Sequence, residues 1–283
     1  MSDDRVFDAL RQLLLAAPVI RKNVFIVGGT ALWDWWYAII PSVRHSGGDL
    51  EEPRFTKDID LGVERKTVQV AGHPEALRKA LEDNGWRQQQ EGSFIWENPA
   101  WGEITVELLV YTDVGDNPGS PIWIRDSSNA KIVKACATLR RLDPTHGLLE
   151  PCRYPGIAEF QVCRFTQLGL LLSKAIAIVS VLDEYREAKR ENRDPKKFCE
   201  RLGKDRFDAL LLLRVQEPVR LGITGLQASE AMRQHRKSIE DEIADICQLQ
   251  RSIPELVPDG EHDGLRELSY AFEQWLMEVT PES

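Results

Sequence analysis

The sequence predicts a mixed α/β domain followed by a helical one, and three patterns lead there. Residues 1–155 alternate short apolar strand patterns with helix-length segments, the spacing of a mixed sheet with flanking helices. Residues 156–283 turn to long Leu-, Ala-, Glu- and Arg-rich stretches punctuated by Pro195, Pro218, Pro254 and Pro258. Seven of the eight tryptophans precede residue 124, so composition itself shifts between the two parts. The division is expected at Tyr154-Pro155-Gly156, giving domains 1–155 and 156–283.

Apolar spacing at Val6, Leu10, Leu13 and Leu14 predicts an amphipathic helix over Asp3 to Ala16. Asn23 to Val27 reads as a short buried strand. Gly28-Gly29-Thr30 breaks it, and the ALWDWWYAII that follows has the length and apolarity of a buried helix. Lys57 to Val63 alternates as a second strand, a helix is expected from His73 to Asn84, and strands from Ser93 to Glu97 and Glu103 to Tyr111. The second part predicts helices over Thr166 to Arg190, Arg206 to Val215, Gly225 to Ser252 and His262 to Val279.

Bulk properties narrow the class. A chain of 283 residues, 42% hydrophobic and 29% charged, is neither disordered nor fibrous. The longest apolar run, Leu168 to Val181, is broken by Ser173, Lys174 and Ser180 and is short for a bilayer. The acidic opening MSDDRVFD is the wrong chemistry for a secretory signal or transit peptide, so a cytoplasmic chain without a membrane partner is expected. Five scattered cysteines without a CxxC pair argue against a zinc site and a disulfide framework. A net charge of −9 repels nucleic acid, and an RNA or DNA partner would need a local basic patch.

The residues with chemistry begin at Asp58-Ile59-Asp60. On a strand, period two puts both carboxylates on one face with Cα atoms roughly 7 Å apart, while Ile59 enters the core. Such a pair repels itself unless a cation or solvent neutralises it, and magnesium or manganese suits it; the alternative is a plain surface pair. Upstream, Gly28, Gly29 and Thr30 sit between a strand and a helix, where bare backbone, free N–H groups and a hydroxyl suit phosphate. A structural corner is the alternative there. Lys57, the first residue of the second strand, is a further nucleotide-binding candidate. Glu107 interrupts an apolar strand and is the candidate third carboxylate, or else an edge residue facing solvent, with Glu103 and Asp113 weaker. Lys174 interrupts an apolar helix, where an ammonium needs a carboxylate, a triphosphate, or a stem long enough to reach water. Asp205 and Asp208 lie one turn apart, placed to cap a helix, pair with Lys174 or orient an acceptor.

Together VGGTAL at Val27 to Leu32, RFTKDIDLGV at Arg54 to Val63, Lys174 with Ser180, and KDRFDALLL at Lys204 to Leu212 resemble the AbiEii-type nucleotidyltransferases. These belong to the DNA polymerase beta-like superfamily, and many are toxins of type IV toxin-antitoxin or abortive-infection systems. The resemblance runs in order over residues 24–213; residues 214–283 carry no assignable motif. It implies metal binding by Asp58 and Asp60 with Glu107 as the third carboxylate, nucleotide binding at Gly29 and Thr30, support from Lys174 and Asp205, and a bilobed shape with the site between the lobes.

The expected activity is transfer of a nucleoside monophosphate from an NTP such as ATP to a hydroxyl, a tRNA 3′ end included, with magnesium or manganese as cofactor. An antitoxin or transcriptional regulator is the partner this implies. Two other functions fit the same residues: transfer to a small molecule such as an aminoglycoside, and a catalytically silent nucleotidyltransferase fold that only binds.

Overall fold

The computed structural model describes residues 3–45, 47, 48, 51–54, 56–63, 72–90, 93, 95–112, 122–125, 131–140, 148–194, 196–214 and 270. They fall into two units, Met1–Thr166 and Gln167–Ser283. The first unit opens with α1 (Asp3–Ala16) and α2 (Pro18–Asn23), continues through β1 (Val24–Ile26), α3 (Gly28–His45), β2 (Asp58–Val63), α4 (His73–Asp83), β3 (Arg87–Gln88), β4 (Ile95–Glu97) and β5 (Thr105–Thr112), and ends with β6 (Ile122–Arg125), β7 (Lys131–Arg140), β8 (Leu149–Pro151) and β9 (Cys163–Phe165). Within the second unit the described helices are α5 (Gln167–Arg190) and α6 (Lys196–Leu213).

The strands form one sheet in the order β3-β4-β5-β2-β1-β9-β8, with β7 also paired to β5 and β6 to β7. Pairing is parallel for β2 with β5, β1 with β9 and β5 with β7, and antiparallel elsewhere. The expected mixed α/β class therefore holds. Alternation decides which side of β2 is core: Ile59, Leu61 and Val63 are buried, as are Val106, Leu108 and Val110 beside them on β5. Leu10, Leu13 and Leu14 of α1 and Ile20 of α2 join the core, and Trp35, Trp86 and Trp96 are its largest side chains. At about 25 cal/mol per Å², a buried tryptophan of roughly 200 Å² contributes several kcal/mol, so these three anchor the unit.

The first unit runs past the expected division at 155/156 to Thr166. The reason is β9, which pairs in parallel with β1 through Ile26 and Arg164, and antiparallel with β8. Strands of two or three residues, such as β3, β8 and β9, are too short to show a period, and none was expected. Helix α6 starts at Lys196 rather than at Arg206, because Phe198, Leu202, Asp205, Ala209 and Leu212 form one buried stripe at helical spacing through the charged stretch. The helix expected over 225–252, that over 262–279 except Tyr270, and Asp113 lie outside the described residues. Among the described residues no helix is long and apolar enough to cross a membrane. Cys152 and Cys163 are free thiols. Burial first, and the nearby Asp34 carboxylate second, push the Cys152 thiol well above its ordinary range, so it stays protonated and inert.

Candidate functional site

Parallel register brings the acidic residues together. Asp58 and Asp60 share the face of β2 opposite Ile59 and Leu61, and both are half-buried where those neighbours are fully buried. On β5 the Cα partner of Asp60 is Glu107, and that of Asp58 is Thr105. Adjacent strands lie about 4.8 Å apart, so the three carboxylates occupy one patch of one sheet face. Thr105 Oγ1 donates to Asp58 Oδ1 at 2.8 Å.

The glycine turn abuts this patch. Gly28 has a φ of +60°, and a Cβ built on it would lie 1.8 Å from Asp60 Oδ2 and 2.6 Å from Asp60 Cγ. A Cβ on Gly29 would come within 2.8 Å of the Thr56 side chain. Both positions must be glycine because the segment carrying Asp60 passes directly against the start of α3. Val27 N–H donates to the Asp60 carbonyl at 3.0 Å and continues the β1–β2 ladder to the turn. What fills the space beside the glycines is thus Asp60 and Thr56. The amides of the first helical turn are the groups left for an anion.

Thr30 has a different place from the one expected. Its side chain is fully buried, and Oγ1 donates to the Asp58 carbonyl at 2.8 Å. A hydroxyl has one proton to give, and that of Thr30 goes to the Asp58 carbonyl, so its side chain fastens α3 to β2. Lys57, also expected to meet the nucleotide, is half exposed and ion-paired with Glu103. The Lys57 ammonium holds the fully exposed Glu103 carboxyl below its usual value through a hydrogen bond and charge attraction.

The donor chemistry suits a hard cation, since Asp58, Asp60 and Glu107 offer only carboxylate oxygen. Among the described residues, however, no three His, Cys, Asp or Glu side chains converge closely enough to hold a metal ion. Glu107, the expected third carboxylate, is the register neighbour of Asp60 on the adjacent strand. Magnesium fits such an incomplete set, because it is held by one or two carboxylates together with substrate phosphates and water.

Gly28→Ala is expected to cost roughly 1–2 kcal/mol from the left-handed backbone alone, and to displace Asp60 as well. Urea unfolding measures the first effect. Loss of manganese binding, read by electron paramagnetic resonance, measures the second.

The remaining site residues lie in the second unit. Lys174 Nζ sits 2.9 Å from Asp205 Oδ1 and 2.8 Å from Asp208 Oδ2, with all three side chains nearly buried. Arg201 approaches the other oxygen of Asp205 at 3.9 Å. Of the partners weighed from sequence for Lys174, carboxylates are the ones present. Burial works to lower the Lys174 pKa, but the two aspartates outweigh it and hold the ammonium above its ordinary 10.5. A folded-state value above the unfolded one gives a contribution complete at neutral pH and lost only as pH climbs through the folded value. Unfolding of this unit is accordingly expected to show no Lys174-dependent slope between about pH 6 and 9, with stability falling only beyond the ordinary lysine range. Denaturant titrations on wild type across that span check it.

One pair escaped the sequence reading. Asp34, in the middle of α3 and fully buried, accepts from the Arg153 N–H at 2.9 Å, from the Tyr154 N–H at 2.7 Å and from Arg164 Nε. Arg164, itself 2% exposed, also bonds Glu150 and the Phe165 carbonyl. The signal was in view: a lone carboxylate between Trp33 and Trp35 in an apolar helix requires a partner, as Lys174 did. Thr30 and Asp34 lie one turn apart on α3, so the helix is pinned to β2 through one and to the β8–β9 segment through the other. Comparison of the chain with protein-family models, with curated proteins and with solved structures gives no match.

Proposed function

We propose that this chain is a metal-dependent nucleotidyltransferase that moves a nucleoside monophosphate from an NTP to a hydroxyl, a tRNA 3′ end among the acceptors, as the toxin of a type IV toxin-antitoxin system. The observation that carries this reading is the close approach of Asp60 to Gly28, which puts a paired-carboxylate strand against a helix start that can receive phosphate. The ordered resemblance of residues 24–213 to AbiEii-type enzymes, which rests in part on these same residues, agrees with it. In the reaction the acceptor hydroxyl gives up its proton to solvent as its oxygen attacks the α-phosphorus, the bond from that phosphorus to the oxygen bridging it to the β-phosphorus breaks, and pyrophosphate leaves. Asp58 and Asp60 are the residues that would hold magnesium, which offsets charge developing on the phosphoryl oxygens. Glu107 adds negative charge beside Asp60 and helps draw the cation to this patch. The same resemblance gives supporting roles to Lys174 and Asp205, which pair with each other within the second unit.

A second reading keeps the chemistry but makes the acceptor a small molecule such as an aminoglycoside. The net charge of −9 favours it, because polycationic acceptors are drawn to an acidic protein and nucleic acid is not. Incubation with each of the four α-labelled NTPs, magnesium, and either total tRNA or an aminoglycoside separates the two. Label on tRNA supports the first and label on the aminoglycoside the second. Label on neither, from a protein that also binds no divalent cation, leaves a silent binding fold.

A further inference from the structure

Three threonines grip Asp58, Thr30 from α3, Thr105 from β5 and Thr56 from the segment just before β2. Its N–H donates to Thr56 Oγ1 at 3.2 Å, its carbonyl accepts from Thr30 Oγ1 at 2.8 Å and Thr56 Oγ1 at 3.3 Å, and its Oδ1 accepts from Thr105 Oγ1 at 2.8 Å. The first three contacts go to backbone and would serve any strand residue. The fourth goes to the carboxylate. Thr105 is itself held in place, as the Cα partner of Asp58 in the parallel β2–β5 ladder and through its N–H, which donates to the Lys57 carbonyl at 3.0 Å. Among the described residues it is the side chain that bonds this carboxylate, and it engages one oxygen.

That asymmetry matters to a cation. Magnesium demands tight octahedral geometry and takes carboxylate oxygens singly, whereas calcium is larger and readily accepts both oxygens of one carboxylate. A hydroxyl fixed on Oδ1 turns Asp58 into a one-oxygen donor and fixes its orientation, as outer partners of metal ligands do. We propose that Thr105 is a positioning residue which, by holding one oxygen of Asp58, presents the other singly and selects magnesium over calcium. This rests on the metal-dependent reading above.

The test needs no turnover. Manganese is titrated into wild type, Thr105→Val and Thr105→Ser with free ion followed by electron paramagnetic resonance, and is then displaced with magnesium or calcium. Wild type is expected to prefer magnesium. Thr105→Val is expected to lose about ten- to a hundredfold in magnesium affinity with a smaller change for calcium, so the preference shrinks at least about tenfold. Thr105→Ser, which keeps the hydroxyl, is expected to behave as wild type. Thermal unfolding of each variant reports the fold, and Thr105→Ala replaces Thr105→Val if the latter does not fold. An unchanged magnesium-to-calcium ratio in Thr105→Val overturns the proposal, as does Thr105→Ser failing as badly as Thr105→Val. Wild type that binds no manganese instead sinks the metal-dependent reading, and the proposal falls with it for that separate reason.

Discussion

Asp60→Asn is expected to reduce nucleotidyl transfer by at least about a hundredfold, the order of loss when a group that stabilises transition-state charge is removed. The substitution keeps the shape of the side chain that lies against Gly28, so strand register and turn persist. It removes half of the paired charge that would hold the cation. Without metal the variant is expected to be slightly more stable than wild type, since two like charges on one strand face repel each other. Transfer of label from the preferred NTP, measured beside urea unfolding, reads both effects. If expression of wild type arrests growth, this variant is expected to relieve the arrest. Undiminished transfer, or arrest that persists, removes Asp60 from the chemistry.

Asp34→Ala is expected to carry the largest stability cost, about 3–5 kcal/mol, because it takes from the buried guanidinium of Arg164 its buried counter-charge and leaves it only the part-exposed Glu150. It also leaves two backbone N–H groups, on Arg153 and Tyr154, without the acceptor they now share. For a unit of this size the midpoint of thermal unfolding falls by on the order of 10 °C. A drop of one or two degrees would mean that the network relaxes around the loss and does not hold α3 in place.

The sequence told more about elements than about their edges. Helix α1, strand β2, helix α4 and helix α5 coincide with their expected ranges to within a residue or so, because each carries a period over enough residues to show it. That Glu107 sits on a strand next to Asp60 matches the third acid expected from a neighbouring strand, while the register that makes them Cα partners was not legible. Hydroxyl partnerships were not legible. Nothing in the spacing of Thr30, Thr56 and Thr105 distinguishes a phosphate donor from a backbone fastener, and only the tertiary arrangement shows all three turned toward Asp58. For Lys174 the requirement for a counter-charge was readable, and so were the candidates, but the choice between aspartate and triphosphate was not. The division of the chain was misplaced because Tyr154-Pro155-Gly156 looks like a linker, while its backbone N–H at Tyr154 is tied to Asp34. A three-residue strand after such a turn carries no period to contradict that impression.

The pairing of β9 with β1 has a temporal consequence. Asp34 and Arg164 are 130 residues apart in the chain. During synthesis at roughly 5–20 residues per second, the nascent first unit waits several seconds or more between emergence of the two, with one edge of β1 bare and a carboxylate uncompensated. Closure over so long a loop is slow, and the unit becomes whole only when its last strand leaves the ribosome. Whatever this protein does to a cell, it begins no earlier than Phe165.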